Sequence, residues 1–256
     1  MPPGGFGPVS VTRSKLLYAA CRILLSTEPP WPPWWGRRLL RRRFEMYELP
    51  EDLSDAPLPA GTNLLVAGPP LTGKRDIAFE VLAKGAKASE GSIVVTTKDD
   101  AEKVLERYAT FVGDVDDVDV GVVDCVTKQR GVGNVRDDPR VKYASSPVDM
   151  TGIGINLSEF LEEFYQVRGN EKNRILLHSI STLLMYSDLQ TVFRFMHVFT
   201  GRVQSADALG VYVIDSTAHD DQTMNTLKQL FDAVVEVTDE GDGERSIETA
   251  GFPKAN

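Results

Sequence analysis

The sequence predicts an α/β fold, with a mostly parallel central sheet and helices on both faces. Three observations lead there. Along residues 46–256, short apolar runs alternate with segments of helical periodicity. The runs are continuous rather than alternating, as expected of strands buried on both faces. A Gly/Pro-rich loop of the form G-x-x-x-x-G-K joins the first such run to the first helix.

The elements follow in order. A strand at 63–67 leads into the loop, and a helix over 73–88 carries Ile77, Val81 and Leu82 at helical spacing. A β-branched strand at 92–97 is bounded by Gly91 and by Asp99 and Asp100, acids suited to capping a helix that runs to 111. A third strand covers 118–125. Beyond it lie a Gly-, Asp- and Arg-rich loop at 127–140 and a short strand at 141–144. Asn156, with Glu159 three residues on, fits a capping box opening a helix that reaches 167. A strand at 174–179 precedes a long helix with apolar positions 189, 192, 193, 196, 199 and 203. A strand at 211–215, a helix at 223–231, a strand at 233–238 and a hairpin return at 245–250 complete the pattern.

Residues 1–45 differ in kind. They hold seven of the fifteen prolines, all three tryptophans, eight Lys/Arg and two acids, for a net charge of +6. The whole chain carries −9, so residues 46–256 carry −15. An acidic body of that kind repels a nucleic-acid backbone, and no nucleic-acid partner is expected. The basic segment reads as a disordered tail, or as sequence upstream of a start at Met46. Its apolar stretch at 16–25 is interrupted by Arg22 and is far short of the roughly 20 residues a bilayer needs, so no membrane partner is expected. Two cysteines, Cys21 and Cys125, are too few for a disulfide framework or a zinc site, and the expected compartment is the cytoplasm. Few lysines and an acidic body are also what salt-adapted proteins show.

In a parallel sheet, ligands bind where strands end and helices begin. Gly68, Pro69, Pro70, Leu71, Thr72, Gly73, Lys74 and Arg75 occupy that position after the first strand. Glycines at this spacing let successive backbone N–H groups turn inward around phosphates. The helix N-terminus adds about half a positive charge, and Lys74 reaches the β- and γ-phosphates. Arg75 stands where a Ser or Thr hydroxyl normally ligates Mg²⁺; arginine has only donors and cannot coordinate a cation. Two readings of Arg75 stay open: a direct contact to phosphate, or a side chain turned away.

The run Arg174-Ile-Leu-Leu-His178-Ser179-Ile180-Ser181 resembles the Walker B strand of the RecA/KaiC-like ATPases. The phosphate loop, Ile93-Val-Val-Thr-Thr97, Gly210-Val-Tyr-Val-Ile-Asp215-Ser216 and Phe231-Asp-Ala-Val-Val-Glu-Val237 extend the resemblance over residues 60–238. It implies a RecA-like P-loop NTPase fold of archaeal KaiC-like type, with ATP as the expected ligand. By the same resemblance, His178 holds the position of the Mg²⁺-orienting aspartate, and a neutral imidazole brings no negative charge. Asp99 is the one plausible water-activating carboxylate in the turn where the family has its catalytic acidic pair; capping a helix is its plainer role. Asp215 and Ser216 fall where the family senses the γ-phosphate, and a helix cap is again the plainer role for Asp215. No metal site is expected. Two lost magnesium contacts at ~2 kcal/mol each remove about three decades of rate. The expected function is therefore a nucleotide-binding regulatory protein with weak or absent hydrolysis, signalling through self-association or a protein partner. A slow ATPase using Asp99 is the first alternative, and a RecA-fold interaction scaffold without nucleotide the second.

Overall fold

The computed structural model describes residues 45–131, 137–241 and 244–253. The expected N-terminal segment 1–45, with Cys21, lies outside the described residues except for Glu45. A small antiparallel pair opens the described chain: β1 (Met46–Tyr47) and β2 (Leu58–Pro59), which the sequence pattern does not reveal. Then β3 (Asn63–Gly68), α1 (Lys74–Ala86), β4 (Gly91–Thr96), α2 (Ala101–Val112) and β5 (Val120–Asp124) alternate as expected. They are followed by α3 (Thr127–Arg130), β6 (Val141–Tyr143), α4 (Met150–Glu163), β7 (Asn173–His178), α5 (Ile180–Tyr186) and α6 (Leu189–Ser205). The described chain closes with β8 (Leu209–Asp215), α7 (Asp221–Lys228), β9 (Ala233–Gly241) and β10 (Glu244–Ala250).

Eight strands form one sheet in the order β10-β9-β3-β8-β7-β4-β5-β6, parallel throughout except for the antiparallel β9–β10 hairpin. Each residue of β3, β4, β5 and β7 is buried, which is why these strands read as unbroken apolar runs. Successive side chains point to opposite faces. Leu64, Val66, Val94, Val122 and Leu176 therefore pack against α1 and α2 through Ile77, Val81, Val104 and Tyr108. Their neighbours Leu65, Ala67, Ile93, Val95, Ile175 and Leu177 pack on the other face against α4, α5 and α6 through Phe160, Leu183, Met196 and Val203. Cys125 is fully buried among the second set, and burial pushes its thiol well above the usual range.

A short helix, α3, lies where a loop is expected, β9 runs on to Gly241, and the largest shift of a boundary is at α4. The helix expected to start at Asn156 begins at Met150, and Asn156 lies in its interior. The cap is Asp149, whose Oδ1 accepts from Gly152 N–H at 2.9 Å. Asn156 and Glu159 match the capping-box spacing, but Asp149 sits ahead of Ile153, Leu157 and Phe160, the buried stripe that sets where the helix must start. Among the described residues no helix is long and apolar enough to cross a membrane.

Candidate functional site

The C-terminal ends of β3, β4, β7 and β8 are adjacent in the sheet, in the order β3-β8-β7-β4. The loop 68–75, Asp99, His178, Ser179, Asp215 and Ser216 all sit at that one edge. The loop after β3 is closed by two glycines with distinct duties. A Cβ on Gly68 would stand 2.5 Å from Val237 O, so this position admits only glycine beside β9. Gly73 adopts φ +77° and forms the N-terminal boundary of α1, a left-handed conformation that favours glycine. Leu71 is also left-handed, at φ +68°, and its side chain is fully exposed at the loop tip.

Pro69 and Pro70 carry no N–H, so the loop's donors are the amides of residues 71–75. None of these five amides donates to a described acceptor. Thr72 Oγ1 donates to Pro69 O at 2.9 Å and fastens the loop from within. Lys74 is buried, and its Nζ donates to the same Pro69 carbonyl at 2.7 Å while pairing with Asp215 Oδ1 at 2.5 Å. The lysine thus spans the loop and is neutralised by a carboxylate from the end of β8.

Arg75 turns out of the loop. Its Nη1 lies 2.8 Å from Asp99 Oδ2, and its guanidinium stands over the Phe79 ring, 5.6 Å from the centroid. The Arg75–Asp99 contact is an ion pair without hydrogen-bond alignment, so Arg75 Nε and Asp99 Oδ2 are buried polar atoms with no hydrogen-bond partner among the described residues. Asp99 does not cap α2; Asp100 does, accepting from Lys103 N–H at 3.0 Å.

His178 ends β7 and is buried, with its pKa lowered to about 4, first by desolvation and then by the charge on Arg75. It is therefore neutral at ordinary pH. The peptide joining it to Ser179 is cis. Ser179 is tied across the edge to Thr97: its N–H donates to Thr97 Oγ1 at 2.7 Å, and Thr97 Oγ1 donates to its carbonyl at 2.9 Å. Asp215 makes no capping bond, contrary to the plainer expectation; α7 is capped by Asp220, which accepts from Thr223 N–H at 2.7 Å. The Asp215 amide donates to Ser181 Oγ at 2.9 Å, and the same hydroxyl lies 2.9 Å from His219 Nε2. Ser216 opens a 3₁₀ turn, Ser216–Ala218, and makes no hydrogen bond to the loop. A polar cavity of about 510 Å³ opens at this edge, lined in part by Thr97, Ser179, Ser181, Thr182 and Asp215.

Asp124 is different. Its carboxylate accepts from the amides of Ala101, Val126 and Thr127 and from Thr127 Oγ1, at 2.7–2.9 Å, which commits it to holding the β5 end together.

One side chain at this edge went unnoticed in the sequence. Arg245, at the start of β10, places Nη1 2.8 Å from where a Cβ on Gly73 would stand. No motif surrounds it, and only the hairpin pairing brings it to the loop.

This sheet order, with the loop after β3 and the Asp215 strand beside it, is that of the RecA-like α/β fold. Two solved structures share the fold. The KaiC-like protein PH0186 from the hyperthermophilic archaeon Pyrococcus horikoshii is 16% identical over 76% of this chain and 80% of that one, with a TM-score of 0.51. The uncharacterized protein PH0321 of the same organism, solved in complex with an unknown peptide, is 14% identical over 75% and 84%, with a TM-score of 0.61. The chain belongs to a family of unknown function, DUF7504, whose pattern matches residues 61–237. No curated protein matches it.

Proposed function

We propose that this protein binds a nucleotide, with ATP the expected one, and acts as a switch with weak or absent hydrolysis. The observation that carries the reading is the run of five amides at 71–75 with no acceptor among the described residues, at the head of a helix, with Lys74 reaching across them. Unpaired N–H groups converging at a helix N-terminus are matched to phosphate oxygens in number and charge. Arg75, the side chain at the end of the loop, is turned to Asp99.

Mg²⁺ does not fit the groups beside the loop. The hydroxyl position is Arg75, which only donates, and the carboxylate position is His178, held neutral. The two nearest acids, Asp99 and Asp215, are each paired to a cation of the chain itself. The Walker positions are on this reading degenerate, and the positive charge at the loop comes from Lys74 and the N-terminus of α1. The slow-ATPase alternative needs Asp99 as a free base. Its ion pair with Arg75 weighs against that role and favours a binder. Output through self-association or a protein partner belongs to the same proposal, as do a cytoplasmic setting and an archaeal origin.

Equilibrium titration of the full chain with ATP, in Mg²⁺ and in EDTA, at low and high salt, tests the reading. Binding that changes little between Mg²⁺ and EDTA is the expected result. Turnover abolished by both Lys74→Ala and Asp99→Ala would instead establish the ATPase. A folded chain that binds no ATP at any salt would leave the scaffold.

A further inference from the structure

The register of the sheet gives the loop a wall on one side. Strand β9 runs parallel to β3 with Ala67 level with Glu236, so its residues from Thr238 to Gly241 continue past the point where β3 becomes the loop. At about 3.3 Å per residue the overhang exceeds roughly 10 Å. Strand β10 then returns antiparallel, with Arg245 opposite Asp239 on that overhang. The side chain of Arg245 is directed at the loop: Nη1 lies within 2.8 Å of the Cβ position of Gly73 and 4.0 Å separates that position from Cζ. Any side chain at Gly73 would collide with this guanidinium.

Arg245 is exposed and makes no hydrogen bond or ion pair with a described side chain. The acid whose titration it influences is Glu80 on α1. The Glu80 carboxyl is pushed up by partial burial and then by Asp52, with Arg245 pulling the other way. The other charged groups facing this end of α1 are already engaged: Asp76 with Arg107, Arg75 with Asp99, and Lys74 with Asp215. Arg245 is thus the one arginine poised at the loop whose guanidinium fork is uncommitted among the described residues.

We propose that Arg245, delivered in cis by the β9–β10 hairpin, is a polyphosphate-binding residue of this site. The inference rests on the nucleotide reading of the loop and adds to it a ligand the loop motif does not contain. Arginine suits the task because its planar fork grips two phosphate oxygens at once and stays charged at every relevant pH. Placed at Gly73, it faces the outer phosphates rather than the base. Arg245 then supplies positive charge from the β9–β10 hairpin, on the side of the loop away from Asp215.

The test compares ATP and AMP affinities of the full wild-type chain with those of Arg245→Ala, Arg245→Lys and, as a neighbouring control on the same strand, Glu248→Ala. Arg245→Ala is expected to weaken ATP about ten-fold, as loss of one charge-assisted contact does. AMP affinity should change by less than about two-fold, Arg245→Lys should fall between, and Glu248→Ala should match wild type. Unchanged ATP affinity in Arg245→Ala, with wild type binding normally, overturns this inference alone. An equal loss for AMP and ATP also overturns it, because the role is then structural. A wild-type chain that binds no ATP overturns the nucleotide reading and this inference with it.

Discussion

Strand β7 carries a cationic side chain near one end and an imidazole at the other, and the two ends of the sheet treat charge in opposite ways. At the start of the strand, Arg174 is fully buried and completely engaged. Its Nε donates to Glu90 Oε2 at 2.6 Å, its Nη1 donates to Val81 O at 2.7 Å, and the Tyr47 ring covers it. Lys172 adds a second cation to Glu90 at 3.2 Å. At the other end, around His178, the charged pairs are only partly satisfied: Arg75 Nε and Asp99 Oδ2 have no hydrogen-bond partner among the described residues, and Lys74 is shared between Pro69 O and a partly exposed Asp215. One cluster is built to stay closed. The other holds its charges in arrangements that a stronger anion can displace.

Breaking the first cluster should produce the largest effect of all. Glu90→Ala leaves Arg174 buried without its counter-ion, and a loss of about 4 kcal/mol of stability is expected in urea denaturation, with ATP affinity of the remaining folded protein unchanged. If that variant unfolds no more easily than wild type, the contrast between the two ends disappears.

His178 offers the next test. Its folded pKa, about 4, lies below the ordinary value of 6.5, so the unfolded chain binds a proton that the folded chain refuses. Its contribution is complete above pH 6.5 and is lost as pH falls towards 4, by an amount on the order of 3 kcal/mol. His178→Asn should flatten the stability profile in that window, read by thermal unfolding between pH 7 and 4.

Smaller is the effect of Lys74→Ala, which should weaken ATP by about 30-fold while moving stability by less than about 1 kcal/mol, since the Asp215 it abandons is open to water. The double variant Arg75→Thr, His178→Asp sharpens the contrast furthest for the least energy. Its ATP affinity should come to depend on Mg²⁺ by about ten-fold, whereas wild type should change by less than about three-fold between Mg²⁺ and EDTA.

Much of this was legible in the chain because it is local. Spacing within eight residues reveals the G-x-x-x-x-G-K loop, and burial on both faces makes β3, β4, β5 and β7 visible as apolar runs. Helix ends were harder, since Asp and Asn cluster near several of them: Asp100 rather than Asp99, and Asp149 rather than Asn156, make the capping bonds. What could not be read was who faces whom. Lys74 meets Asp215, Arg75 meets Asp99 and Arg245 meets Gly73 across long stretches of sequence, and each pairing depends on strand order and register rather than on any motif.

The Lys74–Asp215 pair has a consequence for how occupancy would be felt elsewhere. Lys74 is already held by Asp215, so on the proposed reading a bound phosphate would compete with that carboxylate for the ammonium. Asp215 is not isolated: its amide donates to the Ser181 hydroxyl, which also touches His219. On that reading, displacing Asp215 would be felt at Ser181 in the start of α5 and at His219 in the turn that leads into α7, with no bond cleaved.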